Sequence, residues 1–140
     1  MSNNVRILIA DNDPVWREFA AYVLCQAGYE VEICLDVPEA LQKIKEDGFD
    51  LIIVDAPLLD LLNLLSAEPV RHRLLVVSAA PSVPEAISAY RGGALDYVNK
   101  AFGEASILQT ITTVLAKPPA RRTFPKSLKF PLPPVGDGGE

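Results

Sequence analysis

Five short apolar runs, separated by stretches with helical spacing, constrain the fold of this chain more than any other feature. They are VRILIA (5–10), YEVEICL (29–35), LIIVD (51–55), LLVVSA (74–79) and LDYVN (95–99). At five to seven residues, and mostly rich in β-branched side chains, they fit buried strands better than helices. The segments between them carry helix start and stop signals. Asp13 is placed to cap a first helix with Pro14 in its first position; Trp16, Phe19 and Val23 share a face, and Gly28 can take the left-handed conformation after its end. Asp36 and Glu39 have capping-box spacing before a second helix with Ala40, Leu41 and Ile44 as its buried stripe. A short third helix falls within 59–67. Ser82 and Glu85 repeat the capping-box spacing for a fourth, which ends at Gly92 and Gly93. The fifth spans about 103–116, with Ile107, Leu108, Ile111 and Leu115 facing inward, and Pro118 stops it.

Strict alternation of strand and helix implies right-handed crossovers, a parallel sheet and helices on both faces, a doubly wound α/β domain. Ligands of such domains bind beyond the carboxyl ends of the strands. There the sequence places ADND after the first strand, Asp55 at the end of the third, Ser78 at the end of the fourth and Lys100 after the fifth. A carboxylate ending a wholly apolar strand is costly without a partner. Converging acids are best matched by a hard divalent cation with oxygen ligands, and Lys100 would keep Asp55 ionised and nucleophilic.

The 140 residues, 49% of them hydrophobic, suffice for one domain with a real core. Residues 1–116 hold 8 Lys+Arg against 16 Asp+Glu, a balance of −8, whereas 117–140 hold 5 against 2, a balance of +3. Six of the 12 prolines also lie in that second stretch, so the boundary between a domain and a Pro-rich basic tail or linker is set near Lys117. Pro131 and Pro134, after Lys129, have PxxP spacing. No apolar run approaches the ~20 residues that cross a bilayer, and the first residues lack a secretory signal, so a cytoplasmic protein is expected. Cys25 and Cys34 are read as reduced core thiols, His72 as a solvated loop residue and Trp16 as a core or rim aromatic.

From Val5 to about Ala116 the chain resembles the receiver domain of bacterial two-component response regulators. ILIADNDP, DLIIVD, LLVVSA and GALDYVNKAF carry the likeness, in that order and at the usual intervals. The resemblance implies a flavodoxin-like (βα)5 fold with a five-stranded parallel sheet in the order 2-1-3-4-5. It also implies magnesium-dependent transfer of a phosphoryl group from a histidine kinase or phosphotransfer protein to Asp55. Asp11, Asn12, Asp55 and the Pro57 backbone carbonyl would hold the metal, Ser78 and Lys100 would contact the phosphoryl group, and Tyr97 would be the switch aromatic. The output is a downstream protein target, with a homodimer through the face of the fourth and fifth helices as one arrangement.

Three departures from the family pattern stand out. Asn12 takes the place of the second acid after the first strand, which keeps an oxygen but loses a charge, so weaker magnesium binding is expected. The usual Lys-Pro pair is Lys100-Ala101, and a trans bond or a strained cis one there could carry Lys100 away from Asp55. The loop after Asp55 reads APLLDLLNLL, too apolar to face solvent and a candidate partner surface. Against the phosphorylatable receiver, a signalling module rather than an enzyme, stand two alternatives. One is a pseudo-receiver that works as a protein-protein interaction module without phosphorylation. The other is an unrelated doubly wound enzyme or nucleotide binder, disfavoured because no Gly-rich phosphate loop follows the first strand. The acidic body and the short tail leave no element for direct nucleic-acid binding.

Overall fold

Strands apolar on both faces need helices on both faces, and the chain supplies them in alternation. The computed structural model describes residues 4–68 and 71–119. Its elements are β1 (Arg6–Ala10), α1 (Pro14–Gln26), β2 (Glu30–Cys34), α2 (Val37–Glu46), β3 (Leu51–Asp55), a 3-10 turn (Ala56–Leu58), α3 (Asp60–Leu65), β4 (Leu74–Ser78), α4 (Val83–Arg91), β5 (Ala94–Asn99) and α5 (Glu104–Leu115). All neighbouring strands are parallel, in the order β2-β1-β3-β4-β5. The central β3 and β4 are buried along their whole length. The expected tail motif at Pro131 and Pro134 lies outside the described residues.

Alternation along the strands splits the core into two layers. Leu8, Ile52, Val54 and Val76 face α2, α3 and α4, while Ile7, Ile9, Ile53, Leu75 and Val77 face α1 and α5. The pairing of β4 with β5 contains one irregularity. Leu74 pairs with Ala94, but Leu75 pairs with Asp96, so β5 advances two residues where β4 advances one. Ala94 and Tyr97 therefore face the α2–α4 layer, and Leu95 and Val98 the other.

The helix caps follow their sequence signals. Asp13 Oδ1 accepts from the backbone N–H of Val15 and Trp16, Asp36 Oδ1 from that of Glu39, and Ser82 Oγ from that of Glu85. Gly28 has φ 97°, and of the glycine pair after α4 it is Gly93, with φ 101°, that takes the left-handed conformation. Gly92 serves closeness instead. A Cβ there would lie 2.7 Å from Leu62 Cδ2.

Several expectations are corrected. Phe19 does not share the buried face of α1 with Trp16 and Val23; Ala20 and Leu24 complete that face, and Phe19 falls at its edge, 37% exposed. In α5, Val114 is buried, whereas Leu108 and Leu115 are only partly so. Leu41 likewise packs at the margin of the α2 stripe. Cys34 is a core thiol, but Cys25 is exposed on α1. The apolar stretch after Asp55 is not an open loop. It folds into the 3-10 turn and α3, and Leu61, Leu62 and Leu65 are fully enclosed in the α2–α4 layer. Burying each such leucine contributes roughly 1.5–3 kcal/mol, while Leu58 and Leu59 are partly buried and Leu64 is 47% exposed.

Candidate functional site

The carboxyl ends of β1, β3 and β4 and the turn after β5 meet on one rim. Asp11 is fully buried, and Asp55 is 4% exposed. Lys100 Nζ lies 2.8 Å from Asp11 Oδ2 and 3.1 Å from Asp55 Oδ1, with its side chain 7% exposed. Asp13 Oδ2, the oxygen its capping role leaves spare, stands 3.7 Å from the same ammonium. Sequence reasoning assigned Asp13 to the cap alone. Its place three residues past the strand end lets it do both.

Lys100 keeps this position although its bond to Ala101 is trans. The expected displacement does not occur because Asn99 builds a turn in place of the missing proline. Its side-chain oxygen accepts from Ala101 N at 2.8 Å and its carbonyl from Phe102 N at 3.1 Å. Lys100 N in turn donates to the Ser78 carbonyl at 2.8 Å, which ties the turn to β4. Trp16, buried at the start of α1, presents its ring 5.1 Å from Lys100 Nζ, a cation–π contact that makes it more than a core aromatic.

Lys100 favours the ionised form of Asp55, as expected, but against two opposing effects. Burial pushes the Asp55 carboxyl up to about 6, and the neighbouring Asp11 pushes the same way; Lys100 opposes both and does not fully offset them. For Lys100 itself burial acts to lower its pKa, but the close carboxylates of Asp11 and Asp55 outweigh it and hold the ammonium above its ordinary value. Two buried carboxylates thus share one buried cation.

Ser78 and Tyr97 are also at this rim, but they face elsewhere. Ser78 is 2% exposed; its Oγ donates to Glu85 Oε1 at 2.5 Å and accepts from Ala80 N at 3.1 Å. Tyr97 OH donates to the same Glu85 oxygen at 2.5 Å and accepts from Ser82 N at 3.0 Å. Glu85, which the sequence marked as the second half of a capping box, therefore does not close that box with its side chain. No spacing rule identifies it, because its partners come from two other strands.

The residues present fit a divalent cation in part. Asp11 Oδ1 is occupied by Asp13 N at 2.7 Å, while Asp11 Oδ2 is enclosed and, apart from its ion pair with Lys100, has no hydrogen bond among the described residues. Asp11 and Asp55 can thus offer negative oxygens to a hard cation. Asn12 is exposed at the rim, and Pro57 lies in the 3-10 turn, whose closing bond uses the Ala56 carbonyl. Among the described residues no group of three or more His, Cys, Asp or Glu is arranged to hold a metal ion. Any further ligands would be neutral oxygens or water. His72 is half-buried beyond the opposite end of the sheet, before β4.

Comparison with known proteins addresses the family and the fold. Response regulator MprA of Mycobacterium bovis is 33% identical over 128 residues, covering 88% of this chain and 54% of its own length. The chain thus spans about half the length of the curated relatives it matches. A CheY-like response regulator receiver domain protein from Methanospirillum hungatei superimposes with a TM-score of 0.74 at 28% identity, covering 81% of this chain and 95% of that one. Response regulator TrrA of Thermotoga maritima, solved in complex with Mg2+-BeF, shares the fold with a TM-score of 0.70 at 23% identity, covering 79% of this chain and 98% of its own. No helix among the described residues is long and apolar enough to cross a membrane. Residues 7–112 match the response regulator receiver domain, and the chain belongs to that family of two-component signalling modules.

Proposed function

We propose that this receiver accepts a phosphoryl group on Asp55 from a histidine kinase or phosphotransfer protein and relays it by a conformational change. The observation that carries the reading is the buried ammonium of Lys100 shared by Asp11 and Asp55 at the strand ends. An Asp55 oxygen attacks the phosphorus of the donor, the bond from phosphorus to the donor's nitrogen breaks, and the Lys100 ammonium stands beside the charge that gathers on the phosphoryl oxygens. Bound magnesium would supply further neutralisation, held by Asp11, Asp55 and the Pro57 carbonyl, with the Asn12 amide giving a weaker fourth ligand than a carboxylate would. Ser78 is the second phosphoryl contact and Tyr97 the residue whose position reports it. The module itself performs no chemistry beyond taking up and losing that group. A downstream protein target reads the change, and Val83, Ile87 and Tyr90, exposed on α4, suit a homodimer through the α4–α5 face. Cytoplasmic action belongs to the same reading. The Pro-rich basic stretch from Lys117 is read as a tail or linker of this receiver.

A pseudo-receiver that works by binding alone is favoured by one pair of observations, the uncharged Asn12 and the commitment of Ser78 to Glu85. Intact mass after incubation with a small phosphodonor and magnesium separates the two. A gain of one phosphoryl group in the wild type and none in Asp55→Asn supports the receiver; no gain with any donor supports the pseudo-receiver.

A further inference from the structure

We infer that Glu85 is a latch, a positioning residue that binds the Ser78 and Tyr97 hydroxyls together and must release Ser78 before that hydroxyl can serve a ligand on Asp55. Val77 pairs with Asp55 across the sheet, so Ser78 stands one residue beyond the strand position that faces the acid. Its hydroxyl has a single proton, and that proton is given to Glu85 Oε1. Tyr97 gives its own to the same oxygen. One carboxylate oxygen thus holds both hydroxyls, from β4 and from β5.

The latch is well anchored. Glu85 N donates to Ser82 Oγ and Ser82 N donates to the Tyr97 hydroxyl, with Ser82 the N-cap of α4 and Glu85 in its first turn. Ser78 cannot turn its proton toward Asp55 without leaving Glu85. Glu85 then keeps only the tyrosine, and the first turn of α4 loses one of its two ties to the sheet through that oxygen. A ligand at Asp55 is in this way converted into a changed restraint on α4 and Tyr97. The geometry of the latch stands on its own, while the identity of the ligand rests on the receiver reading.

The test uses the full chain with Glu85→Ala and Glu85→Gln, and with Ser78→Ala and Tyr97→Phe in each background. Hydrogen bonds to a charged acceptor are strong enough that removing either hydroxyl is expected to shift the urea unfolding equilibrium about tenfold more when Glu85 is present than in Glu85→Ala, where only the bonds from Ala80 N to Ser78 and from Ser82 N to Tyr97 are lost. Beryllofluoride with magnesium is the phosphoryl probe. It is expected to bind Glu85→Ala about tenfold more tightly than wild type, with Glu85→Gln returning toward wild type because its amide oxygen still accepts. Hydroxyl deletions that cost the same with and without the carboxylate would overturn the latch. So would equal beryllofluoride affinity in wild type and Glu85→Ala. If no variant binds beryllofluoride but the unfolding cycles remain coupled to Glu85, the tie among the three side chains stands, and it is the phosphoacceptor reading that falls.

Discussion

Replacing Asp55 with Asn is expected to stabilise the fold at neutral and alkaline pH. Burial and Asp11 push the Asp55 carboxyl from 3.8 to about 6, which corresponds to about 3 kcal/mol of native-state cost for the ionised form. The native state holds this proton more tightly than the unfolded chain does. Between about pH 4 and pH 6 it therefore binds more protons, and the contribution of Asp55 to stability falls as pH rises through that window. Above it the carboxyl is ionised in both states and the cost is constant; below it the group is neutral in both and the cost vanishes. Asparagine has nearly the same shape and no charge, but its amide N–H groups lie against Lys100 and set back the gain by roughly 1 kcal/mol. A net gain of about 2 kcal/mol at pH 8 remains, equivalent to a rise of about 1 M in the urea midpoint. The assay is urea unfolding of wild type and Asp55→Asn without divalent ions at pH 4.5, 6 and 8. A variant no more stable than wild type at pH 8, or a difference that does not shrink toward pH 4.5, would refute the reasoning. Magnesium should narrow the gap by stabilising only the wild type.

Lys100→Met leaves Asp11 and Asp55 facing each other without their cation; unfolding measurements should show a loss of about 3 kcal/mol or more at pH 8 that lessens as pH falls toward 6, because without Lys100 a carboxyl takes up its proton above the wild-type value of about 6. Asn12→Asp restores a unit of charge beside the acids and should tighten magnesium binding roughly tenfold, as followed by the fluorescence of Trp16, the single tryptophan, whose ring lies 5.1 Å from Lys100 Nζ. Unchanged affinity would mean that position 12 is not a ligand. Gly92→Ala drives a Cβ to 2.7 Å from Leu62 Cδ2 and 2.9 Å from Leu62 Cβ, and should cost about 1–3 kcal/mol in thermal unfolding. Gly48→Ala, with nothing within 4 Å, should change stability by less than about 0.5 kcal/mol.

What could be read from the sequence was what depends on neighbours along the chain. Strand runs, caps at Asp13, Asp36 and Ser82, and the left-handed turn at Gly28 are local, and each appears where its residues place it. Asp11, Asp55 and Lys100 were legible as well, because strand ends in a doubly wound sheet converge by topology. Side-chain direction beyond the strand ends was not. Glu85 and Ser82 satisfy the spacing of a capping box, yet the Glu85 carboxylate finds stronger donors on β4 and β5. Asn99 offered a signal that could have been used, since an Asn closing a strand is a common turn former and here does what a proline would. The leucines after Asp55 misled in the opposite direction. The short helix expected within 59–67 is α3, but the same run also read as a loop too apolar for solvent and a candidate partner surface, whereas Leu61, Leu62 and Leu65 lie in the core.

The extra residue in β5 sets an address. Counting from Ala94, an unbroken strand would send the side chain at position 97 toward α1 and α5, since faces exchange at every step. The irregularity opposite Leu74 and Leu75 cancels one exchange and delivers the Tyr97 hydroxyl to Glu85 on α4. Pairing the same residues without the irregularity would deliver the tyrosine to the opposite side of the molecule, whereas deleting one residue between Ala94 and Tyr97 would heal it and leave the tyrosine facing α4. Lengthening the connection between β4 and α4 has no such effect on phase. For anyone recombining parts of such domains, the register in which β5 pairs with β4 is therefore the quantity to preserve, because it decides which half of the helical shell the tyrosine faces.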